Sequence, residues 1–169
     1  MRWMIDGYNV VRRDADLRTA EAQRLEAGRA ALLGRIAAVA VRSPDRFTVV
    51  FDGAPGRSAP SQGRLEVLFS RPPETADDVL VRLARQEKSG AVVVSSDRTV
   101  QDAARRAGCT VLGAEAFLDA LAPGRAEDPK DSDEDEEDEG PAAKRGNPHR
   151  RSKEERAAER ALRRLRGSA

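Results

Sequence analysis

Short apolar runs, each closed by a carboxylate, recur along the chain. Trp3 to Ile5 leads into Asp6-Gly7-Tyr8-Asn9, Phe47 to Phe51 into Asp52-Gly53, and Ala91 to Ser95 into Ser96-Asp97. Continuous apolar stretches bounded by turn residues predict buried strands, and Leu65 to Phe69 and Thr110 to Leu112 add two more. Between them the period lengthens to that of a helix. Leu25, Leu32, Ile36, Val39 and Ala40 share one face of a helix expected from about Ala20 to Val41, after a charged loop from Arg12 to Asp16 and before the stop at Ser43-Pro44-Asp45. Glu74 to Asp78 opens a second helix with Val79, Leu80, Leu83 and Ala84 inward. A third runs from Arg98 to about Ala107, with Val100, Ala103, Ala104 and Ala107 inward and Gly108 at a left-handed C-cap. Glu115 to Leu121 closes the series. Strands alternating with helices predict right-handed βαβ units, and so a three-layer α/β/α sandwich around a mostly parallel sheet. In such sheets ligands gather outside the carboxyl ends of the strands, which is where the aspartates fall.

The alternation stops at Ala122-Pro123-Gly124, dividing the chain into a domain at 1–123 and a tail at 124–169. Charge makes the division sharper. Residues 1–126 sum to +3, residues 127–139 to −9 and residues 140–169 to +7, so the overall +1 conceals two arms of opposite sign. The acidic arm is too polar to offset its ordering entropy and is expected to be disordered. Residues 152–166 are helix-capable, because Ser152 and Glu155 match a capping box. With few apolar residues, this segment reads as a basic arm that orders on an anionic partner such as nucleic acid, and the acidic run as a weak competitor for the same surfaces. A single cysteine, Cys109, excludes an intrachain disulfide and suits a reducing compartment. There is no apolar leader after Met1-Arg2 and no run of the ~18 apolar residues a membrane span needs. A cytoplasmic protein with no membrane partner is expected.

Carboxylates supply the candidate chemistry. If Asp6, Asp77 and Asp97 meet at ~5 Å, each pair repels by roughly 3 kcal/mol at an effective dielectric near 20. Protonation or a bound divalent cation must offset this, and hard oxygen donors suit Mg²⁺ or Mn²⁺. Such a cluster activates water against a phosphodiester. Arg12, Arg13, Arg57, Arg64, Arg71 and Arg98 are expected on the surrounding loops, as a phosphate-binding rim. Plainer roles compete: first-turn acids such as Glu74 and Asp78 complement a helix dipole, and Asp97 suits an N-cap. Phosphatase chemistry of the haloacid dehalogenase type needs a second aspartate two residues after the first, where this chain has Tyr8 and Ala54. Dinucleotide binding lacks its glycine fingerprint. His149, the one histidine, lies in the charged tail, and Cys109 in apolar surroundings, so nucleophilic catalysis finds no partners.

Ile5 to Asn9, Val50 to Gly53, Glu74 to Asp77 and Ser95 to Arg98, in this order and at these separations, resemble the NYN domain of the YacP-like family, within the PIN and flap-endonuclease-like nuclease superfamily. The resemblance covers about residues 3–122. It implies a metal-dependent endoribonuclease, in some members acting on mRNA at the ribosome. Asp6, Asp77 and Asp97 would then be the metal-binding carboxylates, with Asp78 an alternative to Asp77. Asn9 and Asp52 would orient them and the attacking water, and Ser96 and Thr75 would contact phosphate or cap their helices; Arg57, Arg71 and Arg98, from their place on the rim, are expected to meet the RNA. Asp102 would be a further acidic member or an exposed helix acid. The rival reading is a non-catalytic RNA-binding module of the same fold, using the arginine rim and the basic tail. The oligomeric state is left open.

Overall fold

A computed structural model describes residues 1–53, 63–122 and 152–167. Its sheet has five strands, β1 (Arg2–Asp6), β2 (Arg46–Phe51), β3 (Leu65–Phe69), β4 (Ala91–Val94) and β5 (Thr110–Leu112), in the order β3-β2-β1-β4-β5 with every pairing parallel. The reversal of strand order falls at β1, between β2 and β4. Successive side chains of the strands point to opposite faces, so each of the central strands serves two cores. Trp3, Ile5, Phe47, Val49, Phe51, Val92 and Val94 belong to one, and Met4, Val50 and Val93 to the other. Helices cover both faces, as the alternation predicts.

The helices on the first face are α1 (Gly7–Arg13), α2 (Ala15–Gln23), α3 (Leu25–Arg42) and α6 (Ala114–Leu121). Here the expectation of a charged loop followed by one long helix needs correction. Arg12 to Asp16 is nearly all helical, interrupted at Asp14 alone. That residue is extended, caps α2 by accepting from the Leu17 N–H at 2.9 Å, and is held by Arg35 at 2.7 Å. A second break at Arg24 separates α2 from α3 and leaves Leu25 as the first residue of α3, at its end rather than over the core. Those four are buried, whereas Leu25 is exposed. On the other face lie α4 (Ala76–Glu87) and α5 (Arg98–Arg106), whose Val79, Leu80, Leu83, Val100 and Ala104 fill the second core. Ala103 is only partly buried. Gly108 takes the expected positive φ of 87° after α5. Cys109 is buried in this second core, its thiol donating to the carbonyls of Ala84 and Lys88.

The larger departure is α7 (Lys153–Arg166). Its capping box forms as the sequence indicates, but the helix does not stand off as an arm. Ala161 and Leu165 are each 1% exposed within the first core, and Ala158 and Leu162 pack at its margin. Few apolar residues suffice because they recur at three and four, and so form one narrow stripe. Beside Leu165, Arg164 makes a forked pair with Asp45, Nε and Nη2 donating at 2.9 and 2.7 Å. Asp45 is 1% exposed and also accepts from the N-terminal amine at 3.0 Å and the Trp3 indole at 3.1 Å. Burial works to raise its pKa, and the hydrogen bonds from Arg164, Trp3 and the amine together outweigh it and hold the carboxyl below the usual range. The stretch expected to be disordered, within 124–151, lies outside the described residues.

Candidate active site

Asp6 is the last residue of β1 and the N-cap of α1. Its Oδ1 accepts from the Asn9 N–H at 3.1 Å and its Oδ2 from the Ser95 hydroxyl at 3.0 Å. At 7% exposure its charge is poorly solvated. Burial pushes the Asp6 carboxyl up to about 6, against the pull of those two hydrogen bonds, and the charges of Asp77 and Asp52 add to the rise. The immediate turn after it leaves no room for a side chain: a Cβ on Gly7 would lie 2.2 Å from the Phe51 ring.

Asp52 follows β2. Its Oδ1 accepts from the Ser70 hydroxyl at 2.8 Å and the Ala76 N–H at 2.7 Å, which fixes the end of β3 and the start of α4 against β2. The choice between Asp77 and Asp78 has a geometric basis in a capping box. Thr75 is the N-cap of α4, and the Asp78 carboxylate turns back to accept from the Thr75 N–H at 2.9 Å and its hydroxyl at 2.8 Å. These bonds lower the pKa of Asp78. Asp77, one residue earlier, is turned toward the other acids: its pKa is raised by burial and by the charges of Asp97, Asp52 and Asp78. The spacing of Thr75 and Asp78 is a sequence signature of this cap, and reading it would have separated the two aspartates.

Asp97 is the N-cap of α5, its Oδ1 accepting from Thr99 and Val100 at 2.7 and 3.2 Å. Capping occupies one oxygen only, since no hydrogen bond to Oδ2 is found among the described residues. Asp6, Asp52, Asp77 and Asp97 thus lie at the carboxyl ends of β1, β2 and β4 and the start of α4, where the charges of Asp77 and Asp52 act on Asp6 and those of Asp97 and Asp52 on Asp77. Asp102 stands apart, exposed and paired with Arg105 at 3.0 Å. Asn9 links two of the acid-bearing turns, its backbone bonding Asp6 and its Oδ1 accepting from the Ser96 N–H at 2.9 Å. The Thr75 hydroxyl caps α4, whereas α5 is capped by Asp97 and the Ser96 hydroxyl instead accepts from the Ala114 N–H at 3.2 Å, at the start of α6.

Two contributors escape the sequence pattern. Ser95 reads as the end of a strand, yet its fully buried hydroxyl donates to Asp6 and accepts from the Asp97 N–H at 3.1 Å, joining two of the acids. Arg29 reads as one of many charged helix residues, yet it is 6% exposed. Its guanidinium donates to the Tyr8 hydroxyl and lies 5.2, 5.5 and 5.2 Å from the rings of Tyr8, Phe51 and Phe69. Those rings precede Asn9, Asp52 and Ser70, so one buried cation seats three site-bearing turns. A hydroxyl at a strand end gives a weak sequence signal. An arginine inside a helix gives none.

Of the rim arginines, Arg12, Arg71 and Arg98 are exposed at the carboxyl side of the sheet, and Arg13 there pairs with Glu115 at 3.0 Å. Arg64 is a correction: it immediately precedes β3, its carbonyl accepting from Phe47 at 2.8 Å, and so sits at the opposite end of the sheet. Arg57 lies outside the described residues. As for a metal, the donors are carboxylate oxygens of the kind Mg²⁺ and Mn²⁺ take. No group of three potential ligands stands ready at metal spacing among the described residues. A small hard cation that keeps several waters needs one or two direct carboxylates, and four mutually repelling acids meet that lesser requirement.

The YacP-like NYN domain model matches residues 3–164, a span that takes in most of α7. The chain belongs to the YacP-like NYN family, a nuclease family. Its fold is similar to the crystal structure of Rae1 (YacP) from Bacillus subtilis, at 28% identity and a TM-score of 0.63 over 72% of this chain and 73% of that one. A point mutant of that Bacillus subtilis protein, with leucine in place of a tryptophan, matches at 27% identity and a TM-score of 0.61, over 72% and 74%. Among curated proteins none matches. No helix among the described residues is long and apolar enough to cross a membrane.

Proposed function

We propose that this protein is a divalent-metal-dependent endoribonuclease whose phosphodiester-cleaving site is built on Asp6, Asp77 and Asp97. The observation that carries the proposal is the state of Asp6: a carboxyl buried at the turning point of a parallel sheet, hydrogen-bonded on both oxygens, with two further acids raising its pKa. Structural acids are seldom arranged to repel one another; active-site acids often are. Mg²⁺ or Mn²⁺, held directly by one or two of Asp6, Asp77 and Asp97 and through its waters by the rest, would supply Lewis acidity and an activated water at this position.

The chain's own groups do the rest. Asp52, pinned by Ser70 and the Ala76 N–H, orients the approach of water. Ser95 and Asn9 hold Asp6 and the Asp97 turn in mutual register, so the acids cannot relax apart. Arg12, Arg71 and Arg98 oppose the repulsion a polyanion would feel at an acidic crevice. RNA is proposed as the substrate class.

The test is cleavage of a labelled RNA with and without Mg²⁺ or Mn²⁺, by the wild-type chain and by Asp6→Asn. Cleavage is expected to require the ion and to fall by a factor on the order of 10³ or more in the variant, with RNA binding retained or strengthened. Undiminished cleavage by Asp6→Asn overturns the assignment. Tight RNA binding without cleavage under either ion would leave a binding module.

A further inference from the structure

Helix α7 carries a second charged feature, far from the acids. Its apolar stripe, with Ala161 and Leu165 buried and Ala158 partly so, faces the core. On the opposite side, Lys153, Arg156, Arg160 and Arg163 fall within about 80° of one another around the axis, in a row about 15 Å long. All four are exposed, and no ion pair or side-chain hydrogen bond of theirs is found among the described residues. Like charges three and four residues apart oppose helix formation by about 0.2–0.5 kcal/mol per pair. Glu159, three residues after Arg156 and four before Arg163, offsets part of this.

The row is also rigidly placed. One end of α7 lies against Gly108 to Val111 at the amino end of β5, where Glu154 meets Arg105 at 3.5 Å. The other end is fixed by Arg164 to Asp45, beside the amino end of β2. Arg42 and Arg46, which flank Asp45 in sequence, are exposed there and lengthen the row into a band. The band thus runs along the amino ends of the strands, while the acids occupy the carboxyl ends, about 20 Å away along β2.

We propose that this band is an accessory binding surface for the sugar-phosphate backbone of single-stranded RNA, holding a long substrate at a distance from the crevice in which it is cut. The proposal rests on RNA being the substrate of the acidic site. Unpaired cations in a row suit a polyanion. A membrane surface is a poor fit, because a helix lying in lipid turns its apolar residues outward and α7 has buried its own.

The experiment uses the full chain and the variant Lys153→Gln/Arg156→Gln/Arg160→Gln/Arg163→Gln, with EDTA present so that no RNA is cut. Fluorescence anisotropy is read for a roughly 30-nucleotide and a roughly 6-nucleotide single-stranded RNA over a range of salt. For the long RNA the slope of log K against log[salt] should become shallower by about 3, the value for four lost phosphate contacts on a single strand. The short RNA should change less. Gln favours helix, and the like charges it relieves are balanced by the loss of Arg163 from the last turn and of the spacings to Glu159, so circular dichroism and the thermal midpoint should be nearly unchanged. The pair Arg156→Gln/Arg160→Gln should give about half the change in slope. An unchanged slope and affinity on long RNA overturn the proposal, whatever other anion the band meets. Because binding is read without the metal, a failure of the nuclease reading would appear in the cleavage assay and not here.

Discussion

Asp6 holds its proton to about pH 6 in the folded protein, whereas an ordinary aspartate releases it near 3.8. Between those values the native state binds more protons than the unfolded one, so stability falls as pH rises through the window, by roughly 3 kcal/mol in all. Asp6→Asn removes that component. With EDTA present, the variant's unfolding free energy relative to wild type should therefore climb from about pH 4 and level off above about pH 7. A difference independent of pH would contradict the burial and repulsion assigned to Asp6. The position of this residue is legible in the sequence, as are Asp52 and Asp97, because an apolar run closed by an acid marks a strand end. Asp77 is harder. Adjacent acids in one helical turn differ by a rotation about the axis, and the deciding fact is which of them Thr75 recruits. The support from Ser95 and Arg29 is harder still, since it consists of contacts between residues 89 and 21 positions apart from their partners.

At the level of elements, the five strands and the helices α4 to α6 emerge directly from periodicity. The segmentation of residues 7–42 does not, because Asp14 and Arg24 interrupt helices without a proline or glycine, and each interruption resets the phase of the helix after it. Helix α7 is legible as a helix, from its capping box, but not as part of the core. The stripe of Ala158, Ala161 and Leu165 is short, and its destination depends on Asp45, 119 residues before Arg164. With that stripe seated in the core, Leu165→Ala should cost about 2–5 kcal/mol in urea-induced unfolding, the range for a fully buried leucine. A cost like that of an exposed site, within about 0.5 kcal/mol, would mean that α7 is not part of the folded body.

For the molecule as a whole, the parallel sheet separates two kinds of charge, with acids at its carboxyl end and the α7 cations at its amino end. A cation held at the acidic end, as proposed, would bind the native state and not the unfolded one, so it should stabilise the entire fold, by about 2.7 kcal/mol at a hundred times its dissociation constant. Thermal unfolding in Mg²⁺ should show a higher midpoint than in EDTA at about pH 7.5 and a much smaller increase at about pH 5, where Asp6 is largely protonated. Asp6→Asn should abolish most of the difference. Equal shifts at both pH values, or in wild type and variant alike, would place the ion elsewhere.

The seat of α7 against Trp3 and Asp45 also bears on biosynthesis. The cavity beside the earliest strand is filled by residues 153–166, so a nascent chain cannot finish its interior until translation has passed them. Polypeptides interrupted upstream would present an open apolar cleft and an Asp45 carboxylate without its arginine partner. They should be recognised by proteolysis before they accumulate, which would guard a cell against partly built copies of a nuclease.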